Sequence, residues 1–421
     1  MNSMERPMEK AVLAAVQTTE SDTHFQYSLE ELKNLVENTG VEVVGEVTQK
    51  RDSIDNRTLI GKGKIQELKH LVEETEASAV VFNQELSPSQ VRNIQNEIDV
   101  KILDRIQVIL DIFAIRATSR EGGLQVQLAQ LNYLLPRLVG HGINMSRLGG
   151  GIGTRGPGET KLETDRRHIN RQITDIKKEL KKVEQHRDRL RKQRERSNLF
   201  RIGLIGYTNA GKSTVLNALT HSKTYEKDEL FATLDPVTRK LELTSGLQVT
   251  LTDTVGFIQD LPTQLIESFQ STLEESRDVD LLLHIVDASA PNMEKHQDTV
   301  LELLKDLEMD SIPLFTVYNK KDLADASFYP TLFPNVNITA IDEEDQKQVL
   351  EKIEQAVQQE LEHYAVNIPS DRGDVLAKLN TETIIAHEEF NQETQEYHVE
   401  GYTKNKKWID FLFNHNRNPE Q

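Results

Sequence analysis

The residues with the clearest chemistry are Gly206-Tyr207-Thr208-Asn209-Ala210-Gly211-Lys212-Ser213-Thr214. Two glycines with four residues between them, followed by Lys-Ser, allow backbone N–H groups to turn inward around a phosphate chain. The helix that follows adds the positive end of its dipole. On this pattern Lys212 reaches the β- and γ-phosphates and Ser213 ligates Mg²⁺. Asp253-Thr254-Val255-Gly256 supplies a carboxylate to hold Mg²⁺ through water and a Gly256 N–H to sense the γ-phosphate. In Asn319-Lys320-Lys321-Asp322 the aspartate can accept paired hydrogen bonds from guanine N1 and N2, a donor pair that adenine lacks. The expected substrate is therefore GTP, with GDP as product, and the expected catalytic groups are Lys212, Thr233 and Gly256. Phe231-Ala232-Thr233 belongs to a first switch; Thr233 is assigned as the metal-bound threonine, with Thr238 as its competitor. The turn Ile338-Thr339-Ala340 offers backbone to the base. Taken singly, each short motif reads equally well as a turn. Their order, each at a strand end after a complete phosphate loop, argues for one nucleotide site.

The elements that must position these loops follow from hydrophobic period. Ile202, Leu204 and Ile205 form a strand before the phosphate loop, and Val215 to Leu219 a helix after it. Strands at Val249 to Asp253, Leu281 to Val286 and Ile312 to Val317, with helices between, describe a mostly parallel sheet. Upstream, Val12 to Val16, Val41 to Val47, Leu59 with Ile60, Ala79 to Phe82 and Val100 to Leu103 read as strands. Leu29 to Val36, Ile65 to Val72 and Val91 to Ile98 read as helices. Ser87-Pro88-Ser89-Gln90 is an N-cap with proline at the first helical position and a capping-box glutamine. Gly61-Lys62-Gly63-Lys64 lacks the second half of a phosphate loop and reads as a helix-entry turn.

The 421 residues exceed one ordinary core, so several domains are expected. Cysteine is absent, which removes disulfides and thiolate metal sites and suits the cytoplasm. Apolar runs are of core-strand length and Met1 to Gln17 lacks a signal-peptide profile, so no membrane span is expected.

The net charge of −18 opposes nucleic-acid binding, but its distribution does not. Between Lys161 and Arg201, 15 Lys and Arg face 7 Asp and Glu, a net of +8, which leaves −26 for the rest of the chain. Leu124, Leu128, Leu131, Leu135 and Leu138 recur at steps of four and three, as do Ile169, Ile173, Ile176, Leu180 and Val183. Two seams of matching period describe an antiparallel helical hairpin. Eight of the 21 glycines fall in the connection at 139–160, which reads as a long Gly-rich tip carrying Arg137, His141, Arg147 and Arg155 with only Glu159 opposing them. Such a surface is either a solvated helix face or an RNA contact. The basic Gly-rich tip favours RNA, with Arg147, Arg155, Arg166 and Arg167 as candidates.

After Asn367, Ile384 to Phe390 and Tyr397 to Tyr402 flank a β-hairpin turn, and Trp408, Phe411 and Leu412 mark a helical face. The expected fold class is α/β, in four parts: an N-terminal α/β domain (1–116), a helical hairpin arm (117–198), a P-loop nucleotide domain (199–363) and a small C-terminal α+β domain (364–421).

The combination of IGKGK (60–64), LSPSQ with RN (86–93), DR with LDIFA (104–114), GPGETKLETDRR (156–167) and GYTNAGKST resembles the HflX GTPases. The resemblance runs from the first strand to the end of the nucleotide domain. It implies a translation-associated GTPase that binds the ribosome, chiefly the large subunit and the 70S particle; the chain itself is expected to be a monomer. It further implies splitting of stalled ribosomes under stress, with the N-terminal domain and hairpin inserted between the subunits and the tip near the peptidyl-transferase region. An assembly or scaffold factor, binding rRNA through the same arm and using GTP only as a switch, shares every motif. Phe257 follows Gly256 where Ras-like enzymes carry a glutamine. The resemblance to hydrophobic-substituted GTPases implies slow intrinsic turnover, raised when a partner completes the site. Thr339-Ala340 also stands in place of the usual serine-alanine.

Overall fold

Lys10–Gln17 (β1) is buried along almost its whole length, as expected of a strand covered on both faces of a parallel sheet. In the computed structural model, which describes residues 9–138, 157–194, 198–220, 236–253, 256–257 and 277–415, it is followed by α1 (Asp22–Glu37), β2 (Glu42–Lys50), α2 (Lys62–Thr75), β3 (Ala79–Phe82), α3 (Pro88–Gln95), β4 (Lys101–Asp104), α4 (Arg105–Arg116) and α5 (Arg120–Arg137). The strands form a parallel sheet in the order β2-β1-β3-β4. Side-chain caps fix the helix starts: Ser21 for α1, the Ser87/Gln90 capping box with Pro88 for α3, Asp104 for α4 and Ser119 for α5.

Two expectations for this region change. Leu59 and Ile60 are buried but form no strand. Asp55 and Leu59 exchange two backbone hydrogen bonds, and Leu59 turns to φ +65°, so the pair tucks into a tight loop before Gly61 caps α2. Apolar side chains here mark burial without extension. Arg137 likewise is no part of a free basic tip. Its Nη2 donates to the Leu86 carbonyl at 2.8 Å and to Asp104 Oδ2 at 3.2 Å, and its guanidinium lies 3.4 Å from the Tyr133 ring centroid. Asp104 also accepts from the Tyr133 hydroxyl, Leu86 N–H and Gln107 N–H. One buried carboxylate thus caps α4 and pins the end of α5.

The hairpin is present. Leu124, Leu128, Leu131 and Leu135 of α5 pack on Ile169, Ile173, Ile176 and Leu180 of α6 (Pro157–Arg194). Arg120, at the start of α5, pairs at 2.9 Å with Glu179 in the second half of α6, so the two helices run antiparallel. The expected loop ends early, because residues 157–160 already belong to α6; proline suits a first helical turn. Residues 139–156, including Arg147 and Arg155, lie outside the described residues.

Backbone contacts divide the chain near Lys181 into two units. The second contains β5 (Phe200–Gly206), α7 (Lys212–Thr220), β6 (Val237–Glu242), β7 (Gln248–Asp253), β8 (Leu281–Asp287), α8 (Met293–Asp306), β9 (Leu314–Asn319), β10 (Asn335–Asn337) and α9 (Glu343–Gln359). Its six-stranded sheet has the order β10-β9-β8-β5-β7-β6, parallel except for β6. Chain continuation gives β11 (Glu362–Pro369), α10 (Gly373–Glu382), β12 (Ile384–Asn391), β13 (Glu396–Thr403) and α11 (Lys406–His415). The antiparallel sheet β11-β13-β12 packs its apolar face on α10 and α11. The expected boundary after residue 363 falls inside β11, which opens this sheet.

Candidate functional site

The site grows from the carboxyl ends of β5, β7, β8 and β9, where loops of an open α/β sheet converge. Gly206 closes β5 at φ +153°, and a Cβ there would stand 2.2 Å from the Ile285 carbonyl oxygen, so the turn off the strand requires glycine. Asn209 and Gly211 adopt φ +62° and +93°. The loop between them curls over the start of α7. Lys212 turns back into this curl, where its Nζ donates to the carbonyls of Gly206 at 3.1 Å and Tyr207 at 2.9 Å. Burial pushes its pKa down to about 8, with the Asp253 carboxylate opposing the shift. Beneath it, burial and the Lys212 charge hold His284 at about 3, so that imidazole is neutral.

The loops predicted from separate parts of the chain meet here. Ser213 Oγ donates to Asp253 Oδ2 at 2.6 Å. Asn319 Nδ2 donates to the Ala210 carbonyl at 3.0 Å, while its Oδ1 accepts from Ala340 N–H at 3.1 Å. Asp322 Oδ1 accepts from the Thr339 hydroxyl at 3.1 Å. Lys320 Nζ reaches the Asn209 carbonyl at 3.0 Å. Thr214 follows within α7, and Thr208 is buried with a hydroxyl that has no hydrogen-bond partner among the described residues. Gly256 and Phe257 run beside the phosphate loop: Phe257 N–H donates to the Gly206 carbonyl at 3.1 Å and Thr208 N–H donates to the Phe257 carbonyl at 2.7 Å. Phe257 is buried, so its ring is engaged in packing.

Phe231, Ala232, Thr233, Thr254 and Val255 lie outside the described residues. Thr238 sits within β6, and its hydroxyl pairs with that of Thr252 at 2.9 Å. Arg166 and Arg167 are exposed on α6, Arg167 lying 3.7 Å from Glu163 one turn away.

A bound nucleotide and Mg²⁺ fit these residues. A Cβ at Gly211 would meet Asn319 Nδ2 at 2.2 Å, and one at Gly256 would meet Lys212 Nζ at 3.0 Å, so a side chain at either position would press on a residue of the site. A hydroxyl and a carboxylate stand together at Ser213 and Asp253, the hard oxygen donors that Mg²⁺ takes.

Sequence reasoning missed three participants. Asp287 at the end of β8 pairs with Lys320 at 2.7 Å. Asp345 in α9 accepts from Thr339 N–H at 2.7 Å. His296 of α8 stacks on Tyr207 with centroids 3.9 Å apart. The position of Asp287 at the end of an apolar strand run was the one available signal; Asp345 lies only six residues beyond Thr339 but carries no spacing pattern that marks it, and His296 meets Tyr207 across a long stretch of sequence.

Three family profiles match in succession: "GTP-binding GTPase N-terminal" over residues 26–114, "GTP-binding GTPase Middle Region" over 116–194 and "50S ribosome-binding GTPase" over 201–320. GTPase HflX of Alkalihalophilus pseudofirmus is 50% identical over 399 residues, covering 94% of each chain. GTPase HflX of Escherichia coli is 41% identical over 315 residues, 75% of this chain and 74% of the relative. A GTP-binding protein from Sulfolobus solfataricus, solved with GDP, is similar at 24% identity and a TM-score of 0.45, over 84% of this chain and 99% of that one. Three successive profiles and 50% identity over 94% of the chain make it a member of the HflX GTPase family, a GTP-hydrolysing enzyme.

Proposed function

We propose that GTP lies across the carboxyl ends of β5, β8 and β9, with its phosphates in the loop from Gly206 to Thr214 and its base at Asn319 to Asp322. Lys212 contacts the β- and γ-phosphates, Ser213 and Thr233 hold Mg²⁺, and Asp253 holds it through water. When bound, Mg²⁺ neutralises charge on the phosphate oxygens. Phe231, Ala232, Thr254 and Val255 line the switches, and Gly256 N–H faces the γ-phosphate. Asp322, oriented by the Thr339 hydroxyl, accepts from guanine N1 and N2, while Ala340 offers backbone to the base. The observation that carries this reading is the Asn319 side chain, which fastens the phosphate loop to the turn at Ala340.

The wider role is coupling of that site to the ribosome. The chain works in the cytoplasm as a monomer: its GTP state binds the large subunit or the 70S particle, the cationic arm contacts rRNA, and stalled ribosomes separate before hydrolysis releases the factor. In this scheme the N-terminal domain runs to residue 116, the arm to 198 and the nucleotide domain to the start of β11 at Glu362, where the C-terminal appendix begins. The profile description over 201–320 and the exposed cations of α6 support it. Phe257 has no polar group with which to orient water, so turnover is slow until a partner completes the site. Density-gradient profiles of 70S particles mixed with protein and GTP, or a non-hydrolysable analogue, test the splitting. Unchanged particles with both nucleotides overturn it, and binding confined to subunit precursors favours the assembly role.

A further inference from the structure

Asp287 has two carboxylate oxygens engaged in different tasks. Oδ1 accepts from the backbone N–H and hydroxyl of Ser289, at 2.9 and 2.6 Å, closing a turn at the end of β8. Oδ2 accepts from Lys320 Nζ at 2.7 Å. The same ammonium donates at 3.0 Å to the carbonyl of Asn209 in the phosphate loop. Both Lys320 and Asn209 hold left-handed backbone, at φ +60° and +62°. Such conformations in non-glycine residues persist where surrounding contacts over-determine them. The ion pair is mostly shielded, with side-chain exposures of 18% for Asp287 and 26% for Lys320, so solvent screens it less than a surface pair. The β8 carboxylate therefore fixes where the Lys320 ammonium sits, and that ammonium holds the middle of the phosphate loop.

We infer that Asp287 is a positioning residue for nucleotide retention. Through Lys320 it locks the base-recognition loop to the phosphate loop and slows release of guanine nucleotides. The inference rests on the proposed placement of GTP between those loops. Because the clamp stands on the base side, away from Gly256, it acts alike on GTP and GDP.

The test is a double-mutant cycle on the full chain with fluorescent N-methylanthraniloyl-GDP as probe. Asp287→Asn keeps an oxygen for the Ser289 turn but presents an amide toward Lys320. Release from Asp287→Asn is expected to be about tenfold faster than from the wild type, or ~1.4 kcal/mol. The KM for GTP should rise by a similar factor while kcat falls less. In a Lys320→Ala background, Asp287→Asn should add almost nothing. Release at the wild-type rate from Asp287→Asn, or a full additive effect in the Lys320→Ala background, overturns the clamp while leaving the nucleotide site standing. Failure of the wild-type chain to bind the probe overturns the site and the clamp together.

Discussion

Lys212 is the residue on which most of the site's electrostatics turn. Its pKa of about 8 reflects burial, which the nearby Asp253 charge only partly offsets, while two carbonyls accept from its ammonium. Phosphates favour the protonated form and raise the pKa, so binding near pH 8 takes up a proton, and affinity falls as pH rises through the window above about 8. Calorimetry of GTP binding in buffers of different ionisation enthalpy should detect this uptake, and a pH-independent affinity between pH 7.5 and about 9.5 would contradict it. Gly256 is the second decisive residue. A methyl group there would lie 2.9 Å from Thr208 Cγ2 and 3.1 Å from Thr208 Cα, the latter a backbone atom that cannot step aside. Gly256→Ala should displace the turn, lowering kcat about tenfold or more while GDP affinity changes little. Single-turnover hydrolysis beside a GDP titration separates the two effects. Phe257 was visible in the sequence as a missing water-orienting group. Its backbone pairing with residues 206 and 208 was not, because nothing local records which neighbour an amide will meet.

Among the elements, the hairpin and its anchor show what each level of description supplies. The seam of α5 and α6 is legible because steps of three and four place side chains on one helical face wherever the helix lies. The anchor is not legible: Asp104 and Arg137 stand 33 positions apart, and only the packing of α5 brings them together. Removing the carboxylate with Asp104→Ala uncaps α4 and leaves the partly buried Arg137 guanidinium with only the more distant Glu85 carboxylate, at 3.9 Å, as counter-charge, a loss of about 2–4 kcal/mol. Chemical denaturation should show this as an early transition of the N-terminal unit, and a shift below about 1 kcal/mol would mean that the carbonyls of Leu86 and Tyr133 suffice for Arg137. Leu59 and Ile60 make the converse point. Short apolar runs signal burial, and burial alone does not choose between strand and turn.

For the molecule as a whole, charge asymmetry makes the sharpest prediction. Replacing Arg147, Arg155, Arg166 and Arg167 together by alanine should weaken ribosome binding and flatten its dependence on salt, since each phosphate contact contributes roughly one unit to the salt slope. GTP affinity should be unaffected, and an equal fall in GTP affinity would make the arm a support for the nucleotide domain. Among the described residues no helix is long and apolar enough to cross a membrane. The sequence by itself determined the phosphate loop, the guanine motif, the capped helices and the two-helix seam, because each is written in spacing along a few turns of chain. Tertiary structure alone decided that Asn319 fastens to Ala210, that Asp287 holds Lys320 and that Arg137 is spent on an internal anchor. Those pairings join residues 33 to 109 positions apart: the order in which strands enter the sheet sets the first two, the packing of α5 sets the third, and both are properties of the folded chain rather than of any local stretch.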